Sequence, residues 1–249
     1  MSNGWGEKTA EMTEVSESPK FGADYYRNLL ERPRAMKPPV RLALVAKENA
    51  GKTGMAIGRA RAVIGPNKRI VVIDIDGSAL STVATHYGDD KMIDVIPIFD
   101  DFDDSLFDDD NKTDWLAVVD KMAWFIRLLG ADDDKNPHSD MGALILDGCS
   151  TLLKWCEFAM RDSLKRRGII ENDGDSFNQK EWRERNSLYR DILNRAHRLR
   201  LDYVAYTFHL KDVKEFMDIG GGSKGLIKVG EVPEWENGTK RLFSQQIFL

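Results

Sequence analysis

The segment whose residues most directly suggest chemistry is the run from Ala46 to Gly54, which reads Ala-Lys-Glu-Asn-Ala-Gly-Lys-Thr-Gly. It follows an apolar run at residues 40–45 that predicts a strand, and it precedes a helical stretch at residues 54–63. A small residue, four further residues and then Gly-Lys-Thr between a strand and a helix is the pattern of a phosphate-binding P-loop. The backbone N–H groups of such a loop and the start of the following helix surround anionic phosphates.

Two side chains of this run have specific predicted tasks. Lys52 would reach the β- and γ-phosphates of a nucleoside triphosphate, and the Thr53 hydroxyl would bind Mg²⁺. The loop contains a single glycine before the lysine, Gly51, and the same Gly-Lys-Thr could also be a plain helix N-terminus with threonine as its cap. The residues predicted to contact the nucleotide are Ala46, Lys47, Glu48, Asn49, Ala50, Gly51, Lys52, Thr53 and Gly54.

Carboxylates follow two further predicted strands. Asp147 closes the apolar run at residues 142–147, and Asp74 and Asp76 end an earlier one. Because ligands bind at the carboxyl ends of parallel strands, Asp147 is predicted to hold the water shell of Mg²⁺, with a helix cap as the alternative. Asp76 is the candidate for orienting or deprotonating an attacking water, and Asp74 is the reserve. A polar turn after the strand is the competing interpretation.

The last predicted strand, at residues 203–208, is followed by His209. A polar group at this strand end could touch the γ-phosphate and report its loss, so His209 joins Lys52 and Asp76 as a catalytic candidate. Lys211 could reach a phosphate of its own or of a neighbouring subunit. The alternative for His209 is a structural histidine.

The elements that must position these residues alternate along the chain. Continuous apolar strands alternating with helices predict an α/β fold with a mainly parallel central sheet flanked by helices, followed by a β-rich C-terminal tail. The predicted strands are residues 40–45, 69–74, 92–99, 142–147 and 203–208, the predicted helices are residues 54–63, 115–129, 152–166 and 179–200, and two short β-like runs lie at 225–229 and 241–249.

Composition limits the classes of protein that the chain can represent. Residues 39–249 are predicted to form one domain, and residues 1–38 a flexible extension with a short helix at 23–32. No run of 18 apolar residues and no secretory signal are found, so the chain is expected to be soluble and cytoplasmic, in a host cytoplasm if it is viral. A net charge of −5 argues against coating DNA by bulk charge. Cys149 and Cys156 are predicted to be buried thiols.

Together, four runs resemble the RecA-like P-loop ATPases, and among these the phage-type nucleotide-binding proteins related to the Sak-type single-strand-annealing ATPases. The runs are residues 46–53, 74–76, 143–147 with the following Gly-Cys-Ser-Thr, and 207–212. This resemblance covers about residues 40–249 and implies a RecA-like P-loop NTPase fold, ATP and Mg²⁺ as ligands, and hydrolysis of the β–γ phosphoanhydride bond. It places Asp76 where a catalytic glutamate stands and His209 in the sensor position. It further implies a homo-oligomer that acts on single-stranded DNA in phage or viral recombination, replication or repair.

Two other functions compete with this one. Lys47 stands where partitioning ATPases of the ParA/MinD type carry an extra lysine, and Asp74-Ile75-Asp76-Gly77 is similar to their second-strand motif. Their Gly-Gly after that lysine is here Glu48-Asn49, and the proline that follows their strand-end aspartate is missing. Alternatively, the sparse loop glycines and the pI of about 5.5 suit a nucleotide-binding assembly protein with little hydrolysis.

Three further segments have both a functional and a plain interpretation. Arginines on the two helices at 152–166 and 179–200 could bind single-stranded DNA, although a solvated face interleaved with acids is preferred. The glycine-rich loop at 220–225 could contact DNA or another subunit, or simply connect two elements. The acidic run at 100–110 is expected to be a solvated loop.

Overall fold

The elements of the chain are those of an alternating α/β protein. The computed structural model describes residues 38–99, 106–107, 112–131, 139–172, 176–218 and 224–249. In chain order the elements are β1 Val40–Ala46, α1 Lys52–Ile64, β2 Arg69–Asp74, α2 Ala79–His86, β3 Ile93–Pro97, α3 Trp115–Leu129, β4 Met141–Asp147, α4 Cys149–Arg166, α5 Gln179–Arg198, β5 Tyr203–Asp218, β6 Lys224–Pro233, a 3₁₀ turn Thr239–Leu242 and β7 Gln245–Phe248.

The strands form one sheet in the order β3-β2-β4-β5-β1-β7. All neighbours in that order are parallel, and β6 is added to β5 in antiparallel orientation. The α/β class with a mainly parallel sheet flanked by helices is therefore confirmed. The strand β5 lies between β1 and β4. His209 of β5, Asp147 at the end of β4 and Lys52, which follows β1 at the start of α1, are therefore brought to the same edge of the sheet.

Both faces of the sheet are covered, as continuous apolar strands require. Successive side chains of a strand point to opposite faces. In β1, Leu42 and Leu44 pack with α1 in one core, whereas Ala43 and Val45 belong to a second core with α3, α4 and α5. The cysteines of α4, Cys149 and Cys156, are buried and free in the second core, as predicted.

The strand β5 differs most from the sequence prediction. It was expected to end at Phe208, but it continues to Asp218 and pairs with β6 from Leu210 onward. Residues 211–216 read Lys-Asp-Val-Lys-Glu-Phe, with two charged residues before each apolar one, and are mostly exposed, so they lack the apolar run that marks a buried strand. The β-rich tail is real, and its last strand, β7, joins the central sheet beside β1.

Several predictions fall on residues that the structure does not describe. Apart from Pro38, the N-terminal extension with its short helix lies outside the described residues, as do most of the acidic run at 100–110 and residues 220–223 of the glycine-rich loop. Residues 39–249 form one compact unit. Among the described residues, no helix is long and apolar enough to cross a membrane.

Candidate functional site

The loop between β1 and α1 has the backbone of a tight turn into a helix. Asn49 and Gly51 have positive φ values of 58° and 76°. Gly51 is the N-cap of α1, and no side chain within the described residues caps the first turn. Thr53 is thus not the helix cap that the plain interpretation of Gly-Lys-Thr required. The N–H groups at the start of α1 point out of the helix without a capping side chain, and the N-terminal end of a helix attracts anions.

The side chain of Lys52 folds back across its own loop. Its Nζ donates a hydrogen bond of 2.8 Å to the carbonyl of Lys47 and lies 3.5 Å from Nδ1 of His209. The residue is 7% exposed. Burial lowers the pKa of Lys52, and the carboxylates of Asp147, Asp76 and Glu48 oppose that shift. Lys52 therefore lies at the centre of the site, close to three acidic groups.

The carboxylate of Asp147 is held on both oxygens. The Thr53 hydroxyl donates a 2.7 Å hydrogen bond to its Oδ2, and the Thr207 hydroxyl donates one of 2.7 Å to its Oδ1. Asp147 is 1% exposed, and burial raises its pKa against the effect of these two hydrogen bonds. The two residues predicted to bind Mg²⁺, Thr53 and Asp147, are thus in direct contact.

The carboxylate of Asp76 faces His209. Its Oδ2 lies 3.6 Å from the imidazole Nε2, and its Oδ1 accepts a 2.7 Å hydrogen bond from the Ser78 hydroxyl. The interaction with His209 lowers the pKa of Asp76 below its usual range, against the opposing effect of burial. At 3.6 Å this contact is longer than a normal hydrogen bond. Asp76 is therefore ionised at neutral pH and held beside the imidazole.

A close approach by Gly148 also positions Asp76. Gly148 has a φ of 102°, and a Cβ added there would lie 3.1 Å from the Cβ and the backbone nitrogen of Asp76. Most side chains are strained at this φ, and a Cβ at this distance would require Asp76 to move by a few tenths of an ångström. The glycine after Asp147 thus allows the ends of β2 and β4 to come together.

Asp74, the reserve candidate for catalysis, has a different environment. Its carboxylate accepts hydrogen bonds of 2.9–3.4 Å from the backbone N–H groups of residues 77–80, at the start of α2. It is 3% exposed, and burial raises its pKa. Ligand atoms of Asp74, Asp76 and Asp147 all lie within 4.8 Å of one another. Both oxygens of Asp74 accept backbone N–H groups at the start of α2, whereas the partners of Asp76 and Asp147 include side chains of the candidate site.

A cleft of about 460 Å³ lies at the carboxyl edge of the sheet, and Asp74 is not among the residues that line it. The lining residues are Glu48, Asn49, Ala50, Gly51, Lys52, Thr53, Asp76, Ser78, Ser81, Thr82, Asp147, Thr151 and His209. Three predicted contact residues are not among them. Ala46 is buried and pairs with His209, Gly54 accepts a hydrogen bond from Tyr87 through its carbonyl, and the Lys47 side chain is 67% exposed and pairs with Glu231.

Sequence reasoning did not assign a role to several polar residues in or next to this cleft. Thr207 precedes His209 by two positions and therefore shares its face of β5, which was the available signal. Ser78, Ser81 and Thr82 lie just before or within α2, a helix that was not predicted. A sequence prediction that included α2 would have placed these three hydroxyl groups beside the loop between β1 and α1.

The arginines singled out as a basic face are largely paired with acids. Ion pairs join Arg167 to Glu184 at 2.5 Å, Arg185 to Glu157 at 3.8 Å and Arg195 to Asp191 at 2.7 Å, and Arg190 pairs with Glu236. A larger hollow, of about 870 Å³, lies between the start of α3 and the α4 helix and contains none of the predicted site residues.

Comparison with known proteins does not supply a family. No protein-family model matches the chain, and no curated protein is a significant match. The site is consequently interpreted from its own geometry, from the described residues that form it and from the sequence resemblance.

Proposed function

We propose that this chain is a Mg²⁺-dependent P-loop ATPase of the RecA-like class, which binds ATP in the 460 Å³ cleft and hydrolyses the β–γ phosphoanhydride bond. The observation that carries the proposal is the convergence of a loop lysine, a hydrogen-bonded threonine and aspartate, and an aspartate beside a histidine. These groups are Lys52, Thr53, Asp147, Asp76 and His209, and they come together at one edge of the sheet.

The loop supports phosphate binding in two ways. The start of α1 offers N–H groups that no side chain caps within the described residues, and the helix dipole favours an anion there. Lys52 donates to a neutral backbone carbonyl of its own loop. An anionic phosphate oxygen would be a stronger acceptor for the same ammonium group. The volume of the cleft lies within the range of small-molecule sites.

The donor set of Thr53 and Asp147 fits Mg²⁺. Hydroxyl and carboxylate oxygens are the hard ligands that this ion prefers, and Mg²⁺ binds through one or two protein groups together with water and substrate phosphates. When bound, the ion neutralises charge that develops on the phosphates. The chain's own contribution is to keep the Asp147 carboxylate oriented through Thr53 and Thr207.

Asp76 is suited to orienting the attacking water. In the proposed reaction the water oxygen bonds to the γ-phosphorus while the bond from that phosphorus to the oxygen of the β-phosphate breaks. ADP leaves with the electron pair of the broken bond, and the proton lost by the water goes to the released phosphate. A carboxylate whose pKa is lowered by His209 is ionised at neutral pH but is a weak base. It therefore accepts a hydrogen bond from the water and aligns it, which is the role that a water-positioning residue has in phosphoryl transfer.

Action on single-stranded DNA in phage or viral recombination, replication or repair rests on the sequence resemblance alone. The described arginines of α4 and α5 are mostly engaged with carboxylates, so they do not add to this part of the proposal. Measurement of hydrolysis with and without DNA separates the ATPase from its proposed DNA partner.

One alternative function has a specific observation in its favour. A nucleotide-binding assembly protein with little hydrolysis would tolerate Asp76, which is shorter than glutamate and weakly basic. The partitioning-ATPase alternative is disfavoured, because the Lys47 side chain lies outside the cleft and pairs with Glu231 at 2.9 Å.

The test is ATP hydrolysis by the purified protein with Mg²⁺, in the presence and absence of single-stranded DNA, for wild type and Lys52→Ala. Lys180→Ala, which removes an exposed lysine at the start of α5, is the matched control. We expect hydrolysis by the wild type and the control and none by Lys52→Ala. Hydrolysis by Lys52→Ala at the wild-type rate would overturn the site assignment. Nucleotide binding by calorimetry without hydrolysis would favour the assembly protein.

A further inference from the structure

A buried serine connects three elements next to the candidate site. Ser150, in the first turn of α4, is 0% exposed. Its hydroxyl accepts a 2.9 Å hydrogen bond from the backbone N–H of His209 and donates one of 2.9 Å to the carbonyl of Glu234. The N–H of Glu234 in turn donates a 2.8 Å hydrogen bond to the carbonyl of His209. The three bonds close a ring that joins α4, β5 and the residue after β6.

This ring of hydrogen bonds lies where β5 no longer pairs with β4. The pairing of β5 with β4 ends at Tyr206 and Leu146. Beyond that point the N–H of Gly148 donates to the side-chain hydroxyl of Thr207 and not to a backbone carbonyl of β5. On that side the backbone N–H of His209 has no strand partner, and a buried N–H without a partner is costly. The Ser150 hydroxyl supplies the acceptor that β4 no longer provides.

The backbone that Ser150 holds carries the imidazole of His209. The His209 side chain is 17% exposed. Its imidazole lies between Lys52, whose Nζ is 3.5 Å from Nδ1, and Asp76, whose Oδ2 is 3.6 Å from Nε2. Both distances depend on where the β5 backbone places the Cα of His209. A shift of that backbone would move the imidazole relative to both partners at once.

We infer that Ser150 is a positioning residue of the ATPase, acting through His209 to fix the imidazole at the place where the γ-phosphate of ATP is recognised. This role rests on the proposed function. It predicts that loss of the Ser150 hydroxyl reduces the preference for ATP over ADP, because ADP lacks the group that His209 contacts. A serine that only stabilised the fold would affect the binding of both nucleotides alike.

The experiment is calorimetric titration with Mg²⁺-ADP and with a non-hydrolysable Mg²⁺-ATP analogue for wild type, Ser150→Ala, His209→Ala and the double variant. We expect Ser150→Ala to weaken binding of the analogue about tenfold, the effect of losing one hydrogen bond between the displaced His209 and the γ-phosphate. The affinity for ADP should be unchanged. In the His209→Ala background, Ser150→Ala should have no further effect, because the serine acts through that histidine.

Ser244→Ala is the matched control. The Ser244 hydroxyl also bridges two backbone groups, the N–H and the carbonyl of Arg41, near the opposite end of β1. Ser244→Ala should leave the preference for ATP over ADP as it is in the wild type. If Ser150→Ala does not fold, Ser150→Cys, of similar size but weak in hydrogen bonding, replaces it.

The outcomes separate the two proposals. A wild type that binds neither nucleotide overturns the ATPase. If the wild type binds both nucleotides, two results would overturn only the role of Ser150. One is an equal loss of affinity for ADP and for the analogue in Ser150→Ala. The other is a double variant in which the losses of the two single variants multiply.

Discussion

The hydroxyl of Thr207 donates a 2.7 Å hydrogen bond to Oδ1 of Asp147. The two residues follow the last paired positions of neighbouring strands, Tyr206 in β5 and Leu146 in β4. Both side chains are almost fully buried. The hydrogen bond therefore fixes one oxygen of the carboxylate and leaves the other for Thr53, so that the proposed metal-binding group is oriented by the sheet itself.

Substitution of Thr207 by valine tests this arrangement. Valine has nearly the same shape, but it leaves Asp147 Oδ1 and the Gly148 N–H without their partner, which should cost about 1–3 kcal/mol of stability. Urea denaturation measures that loss. Hydrolysis should also require more Mg²⁺ for half of its maximal rate, because the carboxylate is less well oriented. Thr207→Ser keeps the hydroxyl and should retain the wild-type Mg²⁺ requirement; an equal shift in both variants would argue against the hydrogen bond as the cause.

The two aspartates after β2 should behave differently when each is changed to asparagine. Asp76→Asn removes the charge beside His209 and should slow hydrolysis by about 10²–10³-fold while nucleotide affinity changes little. Asp74→Asn keeps one acceptor oxygen but loses charged hydrogen bonds to the start of α2, which should lower stability by about 1–3 kcal/mol. Steady-state kinetics and thermal unfolding of both proteins make the comparison. The reverse result would exchange the roles of Asp74 and Asp76.

The sequence predicted those elements whose signals are local. Strand β2 was predicted at residues 69–74 and is found there, because an apolar run between polar residues marks a buried strand. Helix α3 was predicted at residues 115–129, and it has local boundaries: the Asp114 side chain caps its N-terminus and Gly130 follows its end. The strand-end aspartates and the loop lysine were found in the same way, from their position after apolar runs.

Two of the three features that were missed depend on partners far along the chain. Helix α2 has only eight residues, and its first N–H groups bind Asp74, a side chain of the preceding strand, rather than a cap of its own. The second half of β5 is stabilised by pairing with β6, which no local pattern reveals. Thr207 looks like an ordinary strand threonine until β4 brings Asp147 beside it. Contacts between strands decide the second half of β5 and the role of Thr207, so no local pattern shows them. Helix α2 was missed for a local reason: it is short, and residues 74–80 look like a polar turn after β2.

Lys47 distinguishes between two classes of ATPase. Its side chain is 67% exposed and pairs with Glu231, so Lys47→Ala should leave the hydrolysis rate within about twofold of wild type. Its effect on stability should be no more than about 0.5 kcal/mol, as for other exposed ion pairs. Hydrolysis assays at saturating ATP make the measurement, with Lys52→Ala as the inactive reference. A loss of activity as large as that of Lys52→Ala would restore the partitioning ATPase as the better function.

The ion pair of Arg190 with Glu236 should make stability depend on pH. The Arg190 guanidinium lowers the pKa of Glu236 below the ordinary value of 4.5, and Glu236 is 8% exposed. A carboxyl whose pKa is lower in the folded state than in the unfolded state stabilises the protein above the ordinary pKa. That stabilisation is lost as the pH falls through the folded-state pKa. Arg190→Met should therefore cost about 1 kcal/mol at pH 7, because the carboxylate is buried but solvent at the 49% exposed arginine screens part of the attraction. The difference from wild type should shrink below about pH 4.5.

Urea denaturation of both proteins across that pH range measures the effect, and a second arginine of α5 serves as the control. Arg195 pairs with Asp191, but the two side chains are 36% and 52% exposed, so solvent screens their attraction. Arg195→Met should change stability by less than about 0.5 kcal/mol at every pH. A loss in Arg190→Met that stays constant down to pH 3 would show that the arginine stabilises the protein by packing rather than through the charge of Glu236, because packing does not titrate with that carboxyl.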